Sequence, residues 1–285
     1  MSETNKLLPS HVEQHEQREN EKVNSTVLVN AYAVIWTSMI LFGAFALGQY
    51  ILPALLHGEW ARWDTTDAGL YRSNDKSANI IMVAHMICGV CLQALGPIQL
   101  IPSFRRKYIK VHRIMGRIYI ASALGASGLA TIYVLLYRTS RQWIHEDIGN
   151  VIFGSAVFGS AAMSLWHVRN GDIANHKIWS IRLFLAVFGA TLFRVVSVPY
   201  AVAVLLGAPT SQAVMNSLFY VMILPPWLGY ELVRRKQWEI FSNDNKSIMT
   251  IAMVIWAILT FIIFVGAWLP AILNQPSLNG TLVNE

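Results

Sequence analysis

Seven apolar runs separated by polar clusters organise the chain, at approximately 27 to 56, 78 to 101, 114 to 137, 148 to 168, 178 to 206, 213 to 233 and 248 to 273. Each is close to or above the ~20 residues with which an α-helix crosses the hydrocarbon core of a bilayer. The pattern predicts an all-α fold, a polytopic transmembrane bundle of about seven helices with a four-helix core formed by helices two to five. Pro225-Pro226 interrupts the sixth run, and the backbone donors lost there predict a kink. Residues 1–26 read as a disordered polar tail of mixed charge sign, without the apolar stretch of a signal peptide. Residues 27–273 then form one membrane domain, and 274–285 a short C-terminal tail.

Composition agrees with the pattern. Among 285 residues, 54% are hydrophobic and 13% charged, with a mean hydropathy of +0.43, which is more apolar surface than a soluble domain of this size can hide. The net charge of +6 is dispersed in short clusters between apolar runs, a distribution that points to a lipid bilayer and away from nucleic acid. The two cysteines, Cys88 and Cys91, share one apolar run, which excludes a secreted disulfide scaffold. Together with His85 they offer soft-metal donors, but helical spacing spreads the three over about 120°. Hydrolase chemistry finds no support, because the chain has no zinc-finger spacing, phosphate-binding glycine loop or nucleophile elbow.

The distribution of Lys and Arg sets an expected orientation. With the N-terminus inside, the tail and inner loops hold 14 basic residues and the outer loops five: Arg62, Arg72, Lys76, Arg138 and Arg141. The expectation is a cytoplasmic N-terminus and a C-terminus on the opposite side, in a plasma membrane or a bacterial inner membrane.

Candidate chemistry lies in four histidines, His85, His112, His145 and His176, spaced by 27, 33 and 31 residues, roughly one crossing plus its loop. Successive ones should fall near opposite membrane faces, which pairs His85 with His145 on the outside and His112 with His176 on the inside. Neutral imidazoles are good axial ligands for a b-type haem. Such a haem would require helices two and four, and three and five, to be neighbours. Arg113, Arg117, Lys177 and Arg182 surround the inner pair and suit haem propionates. His85, Gly89, Gly96 and Gln99 share a small, polar face of helix two, and His112, Gly116 and Tyr119 share a face of helix three. Arg194 lies deep in helix five on the face of His176, so it should be paired or line a hydrated cavity.

Between His85 and Tyr119, the strings Gly96-Pro97-Ile98-Gln99, Arg105-Arg106 and His112-Arg113-Ile114-Met115-Gly116-Arg117-Ile118-Tyr119 resemble an uncharacterised membrane family, domain of unknown function 2306. Trp166, His176-Lys177-Ile178-Trp179, Arg182 and Arg194 are similar to its second motif. The likeness covers roughly residues 78 to 200 and implies counterparts of His85, His112 and His176, but none of His145. In histidine placement, the four-helix core is also similar to ascorbate-dependent di-haem b-type cytochromes.

Three functions are consistent with these features. One is a transmembrane electron carrier with b-type haem, in which His112, His176 and His85 are the metal ligands and a quinone or ferric iron is the acceptor. Another is a small-molecule transporter, or a haem- or copper-handling assembly factor without redox turnover, with His85, Gln99 and Arg194 lining a polar cavity. The third is a membrane scaffold whose polar residues only fasten helices together, and none of the three fixes an oligomeric state.

Overall fold

A computed structural model describes residues 29–30, 32–65, 70–138, 144–206 and 230–231. The expected sixth and seventh helices, Pro225-Pro226 and both tails lie outside these, apart from Tyr230 and Glu231. The described residues are helical and contain no strand. Among the described residues, five helices are long and apolar enough to cross a membrane. They are α1 (Tyr32–His57), α2 (Lys76–Leu100), α3 (Ile109–Tyr137), α4 (Ile144–Arg169) and α5 (Ile173–Leu205).

Local chemistry sets the helix ends. Asp75 caps α2 by accepting from the Ala78 N–H at 3.0 Å. Pro97 lies inside α2, and the backbone turns extended at Ile101 before Pro102 opens a short helix, Pro102–Lys107. At the end of α4, Asp172 N–H donates to His167 O at 2.9 Å and Gly171 N–H to Val168 O at 3.3 Å, with Gly171 at φ +75°. These paired bonds form a Schellman motif, whose left-handed residue is cheapest as glycine. Within one turn of it α5 begins. Helices α3, α4 and α5 start several residues before their apolar runs because their first turns are polar, as in Lys110-Val111-His112-Arg113 and Asn175-His176-Lys177.

Short connections force helices adjacent in sequence to pack side by side, α2 on α3, α3 on α4 and α4 on α5. Thr191 Oγ1 on α5 donates to Gln93 Oε1 on α2 at 3.1 Å and closes the ring. In this square α2 and α4 occupy one diagonal, and α3 and α5 the other. The expectation that helices two and four, and three and five, are neighbours is thereby corrected. Helix α1 lies against α2, and a Cβ on Gly43 would sit 3.4 Å from Gln93 Cβ. All five helices supply the core, among them Met39, Leu92, Ile120, Ala161 and Phe184, while Ile80, Leu135 and Phe158 are exposed on the outside, as in a bundle solvated by lipid.

The loop between α1 and α2 builds a second core at one end of the bundle, where Trp63 is fully buried among Ile51, Ala54, Met82 and Tyr133. Trp63 Nε1 donates to Tyr50 O at 2.9 Å and Tyr133 Oη to Leu70 O at 2.9 Å. Arg72 donates to Tyr137 O at 2.9 Å and Arg138 O at 2.8 Å, tying the loop to the end of α3.

Candidate functional site

His112 and His176 lie at the end of the bundle opposite this capped one. His112 is in the first turn of α3 and His176 in the first turn of α5, so each imidazole enters from the start of a helix. Both are half-buried, and they lie within electrostatic reach of one another. His176 Nδ1 is 2.9 Å from the Ser164 carbonyl and 3.1 Å from Ser164 Oγ. Ser180 braces the same contact, donating to His176 O at 2.7 Å and lying 2.9 Å from Ser164 Oγ. A carbonyl only accepts, so neutral His176 carries its proton on Nδ1 and presents the Nε2 lone pair outward. A backbone carbonyl on the far nitrogen is the usual support of a metal-ligating histidine.

His85 has the same device at another depth, with Nδ1 2.8 Å from Ala126 O on α3. It therefore turns towards α3 and not towards α4. His145 is in the first turn of α4, and its side chain lies outside the described residues, as does any contact between this expected pair.

The two faces read from the sequence meet in the α2–α3 seam. A Cβ on Gly96 would sit 3.0 Å from Tyr119 Cε2 and 3.1 Å from its hydroxyl, and one on Gly116 would sit 3.4 Å from Gln99 Oε1. The phenol thus rests on the bare backbone of Gly96, one helical turn from Gln99. Deeper in the seam, a Cβ on Gly125 would lie 3.2 Å from Cys88 Sγ, which marks the thiol as packing. Gly89 departs from the pattern, since a Cβ there meets nothing within 4 Å.

This end of the bundle also concentrates buried polar atoms that make no hydrogen bond among the described residues. They are Tyr32 Oη, Trp36 Nε1, Gln99 Nε2, His112 Nδ1, Tyr119 Oη and Ser160 Oγ. Three of the six, Tyr32, Trp36 and Ser160, have no counterpart in the sequence reading. Trp36 reaches the level of Gln99 by the α1–α2 register that Gly43 and Gln93 fix.

The arginines divide. Arg113 and Arg117 are exposed near His112. Arg182, expected to face the inner histidine pair, has its Nε 2.8 Å from Glu231 Oε1 and stacks on Trp179 at 4.3 Å. Arg194 is exposed, donates to Ala190 O at 3.1 Å and lies 4.1 Å over the Phe42 ring on α1. It therefore turns towards α1 while His176 turns towards α4. Sequence reading also missed His167, whose Nδ1 is 3.0 Å from Asp172 Oδ2 in the α4–α5 turn. Asn175 donates to both Asp172 oxygens, at 3.1 Å and 2.7 Å, and these bonds hold the Asp172 carboxyl below its ordinary pKa. Ser164 and Ser180 were missed because serine in an apolar run reads as a small filler; their signal is the four-residue step from His176 to Ser180.

Among the described residues, five long helices with an apolar exterior fit a multi-pass integral membrane protein. Its residues 82–225 match the model of the family described as predicted membrane protein, DUF2306, and the chain belongs to that family. The matched stretch contains His85, Gln99, His112, His145, His176, Arg182 and Arg194. No curated protein and no solved structure matches the chain.

Proposed function

We propose that the protein is a membrane electron carrier holding one b-type haem between His112 and His176, and passing electrons to a quinone or to ferric iron. What supports this reading is that two half-buried imidazoles from diagonally placed helices lie within electrostatic reach of one another, one of them held by the Ser164 carbonyl with its other nitrogen unbonded. A group spanning the core between them does not need the two helices to touch, so the neighbour requirement is dropped. The donor set fits the group. The imidazole nitrogens of His112 and His176 would hold the iron, and exposed Arg113, Arg117 and Lys177 would pair with the carboxylates. Haem, when bound, would supply one-electron chemistry. Ser164 and Ser180 would orient His176, and the core of Ile120, Ala161 and Phe184 would keep water from the site. Arg182 is assigned to Glu231 in this scheme. The basic residues Arg105, Arg106, Lys107, Lys110 and Arg113 at the His112 end favour a cytoplasmic position for that end.

A second reading, a small-molecule transporter or a haem- or copper-handling assembly factor without redox turnover, is favoured by the unbonded amide of Gln99. Absorption spectra separate the two. Protein purified from haem-replete cells is expected to show a Soret band that disappears in His112→Ala and in His176→Ala. A colourless wild-type preparation would refute the carrier and leave the second reading.

A further inference from the structure

Tyr119 is 5% exposed, and its hydroxyl makes no hydrogen bond among the described residues. It lies ten residues into α3, roughly 15 Å along the axis at ~1.5 Å per residue, a depth at which an unpaired polar group is costly. Removing that hydroxyl costs the sequence only one atom, yet tyrosine and not phenylalanine stands there. Gln99, one turn away in the same seam, leaves its amide nitrogen unbonded as well, and so does His112 its Nδ1.

The chemistry of the set selects a ligand. The Gln99 amide nitrogen can only donate, while the Tyr119 hydroxyl and the His112 ring nitrogen are able to donate. Neither α2 nor α3 contains an Asp or Glu to accept these protons, and none of the three atoms reaches a main-chain carbonyl at hydrogen-bonding distance. The missing partner is therefore an acceptor. Arg113 and Arg117, the arginines of α3, are exposed on its surface, so no cation of that helix is buried with Tyr119 to balance a carboxylate or a phosphate. An uncharged oxygen fits best.

We propose that the Gln99–Tyr119 seam, flanked by His112, binds a neutral carbonyl oxygen carried by a lipid-soluble molecule, whether the head group of a quinone or the ester of a membrane lipid. Gly96 and Gly116 leave room for the two side chains between the helices. The site stands independently of haem.

The full-length protein in nanodiscs of ether-linked phosphatidylcholine, which lacks acyl ester carbonyls, is titrated with menadione and read by quenching of tryptophan fluorescence and by thermal melting. Saturable binding is expected, weakened at least tenfold by Tyr119→Phe and by Gln99→Leu. Before menadione is added, Tyr119→Phe should melt no lower than wild type, because its hydroxyl has no bond to lose. In ester-linked nanodiscs, a higher wild-type melting temperature that Tyr119→Phe does not share would assign the carbonyl to lipid. Equal menadione binding by all three proteins, with no lipid-dependent difference between them, would overturn the site. So would a lower melting temperature for Tyr119→Phe in ether-linked discs without menadione. Haem content measured on the same samples keeps the two proposals apart: menadione binding by a colourless protein sinks the haem alone.

Discussion

Thr191 on α5 donates to Gln93 on α2 across 3.1 Å, and both residues are buried. This bond returns the fifth helix to the second and places α3 and α5 at opposite corners of the core. Thr191→Val is nearly isosteric but leaves Gln93 without that donor. A loss of about 1 kcal/mol is expected, within the range for hydrogen bonds between membrane helices. Melting of both single variants and of Thr191→Val with Gln93→Leu should show coupling between the two positions; strict additivity would place the closure of the ring elsewhere.

The Gly96–Tyr119 contact predicts a difference between two glycines of one helix. An alanine at Gly96 would bring its Cβ to 3.0 Å from the Tyr119 ring, and overpacking of this kind costs about 1–3 kcal/mol. Gly89→Ala has no atom to meet within 4 Å and should be neutral or slightly stabilising through helix propensity. Comparing the two melting temperatures against wild type tests the seam.

Arg182 and Glu231 are both less than a quarter exposed and form an ion pair across 49 residues. Replacing either alone by leucine strands a charge, with an expected cost of about 3 kcal/mol, and replacing both should recover most of it. Glu231→Leu should destabilise the apo protein as much as the haem-loaded one. A loss confined to the loaded protein would return Arg182 to the propionates.

Asp172 predicts acid sensitivity in the α4–α5 turn. Its carboxyl titrates lower in the folded protein than in the unfolded chain because Asn175 and His167 bond to it. The folded state therefore binds its proton later, so its stabilising contribution is present above the ordinary aspartate value of about 3.9 and fades as pH falls through the folded value. Asp172→Asn should flatten the acid limb of a melting-temperature profile and leave the neutral limb parallel to wild type.

Much of the core was legible in the sequence, because helices two to five are marked by long apolar runs and their small and polar faces by helical spacing. Gly96 and Gln99 do oppose Tyr119 and Gly116, and His85 faces α3. What sequence periodicity lacks is the identity of the neighbour. It gives the angle of Arg194 on its helix but not the bend of a long side chain towards Phe42, and it cannot foresee Glu231 arriving beside Arg182. The diagonal arrangement was missed for the same reason, since connection length, and not histidine spacing, decides which helices touch. Hydropathy likewise hides polar first turns, which is where His112 and His176 are found.

In the proposed carrier, His112 and His176 would both hold the haem iron. Low-temperature electron paramagnetic resonance of the oxidised protein tests it most directly. A low-spin ferric signal of bis-imidazole type is expected in wild type, converted to a high-spin signal or lost with the haem in His112→Ala and in His176→Ala. An iron-free wild-type protein, or a low-spin signal unchanged in both variants, would contradict it.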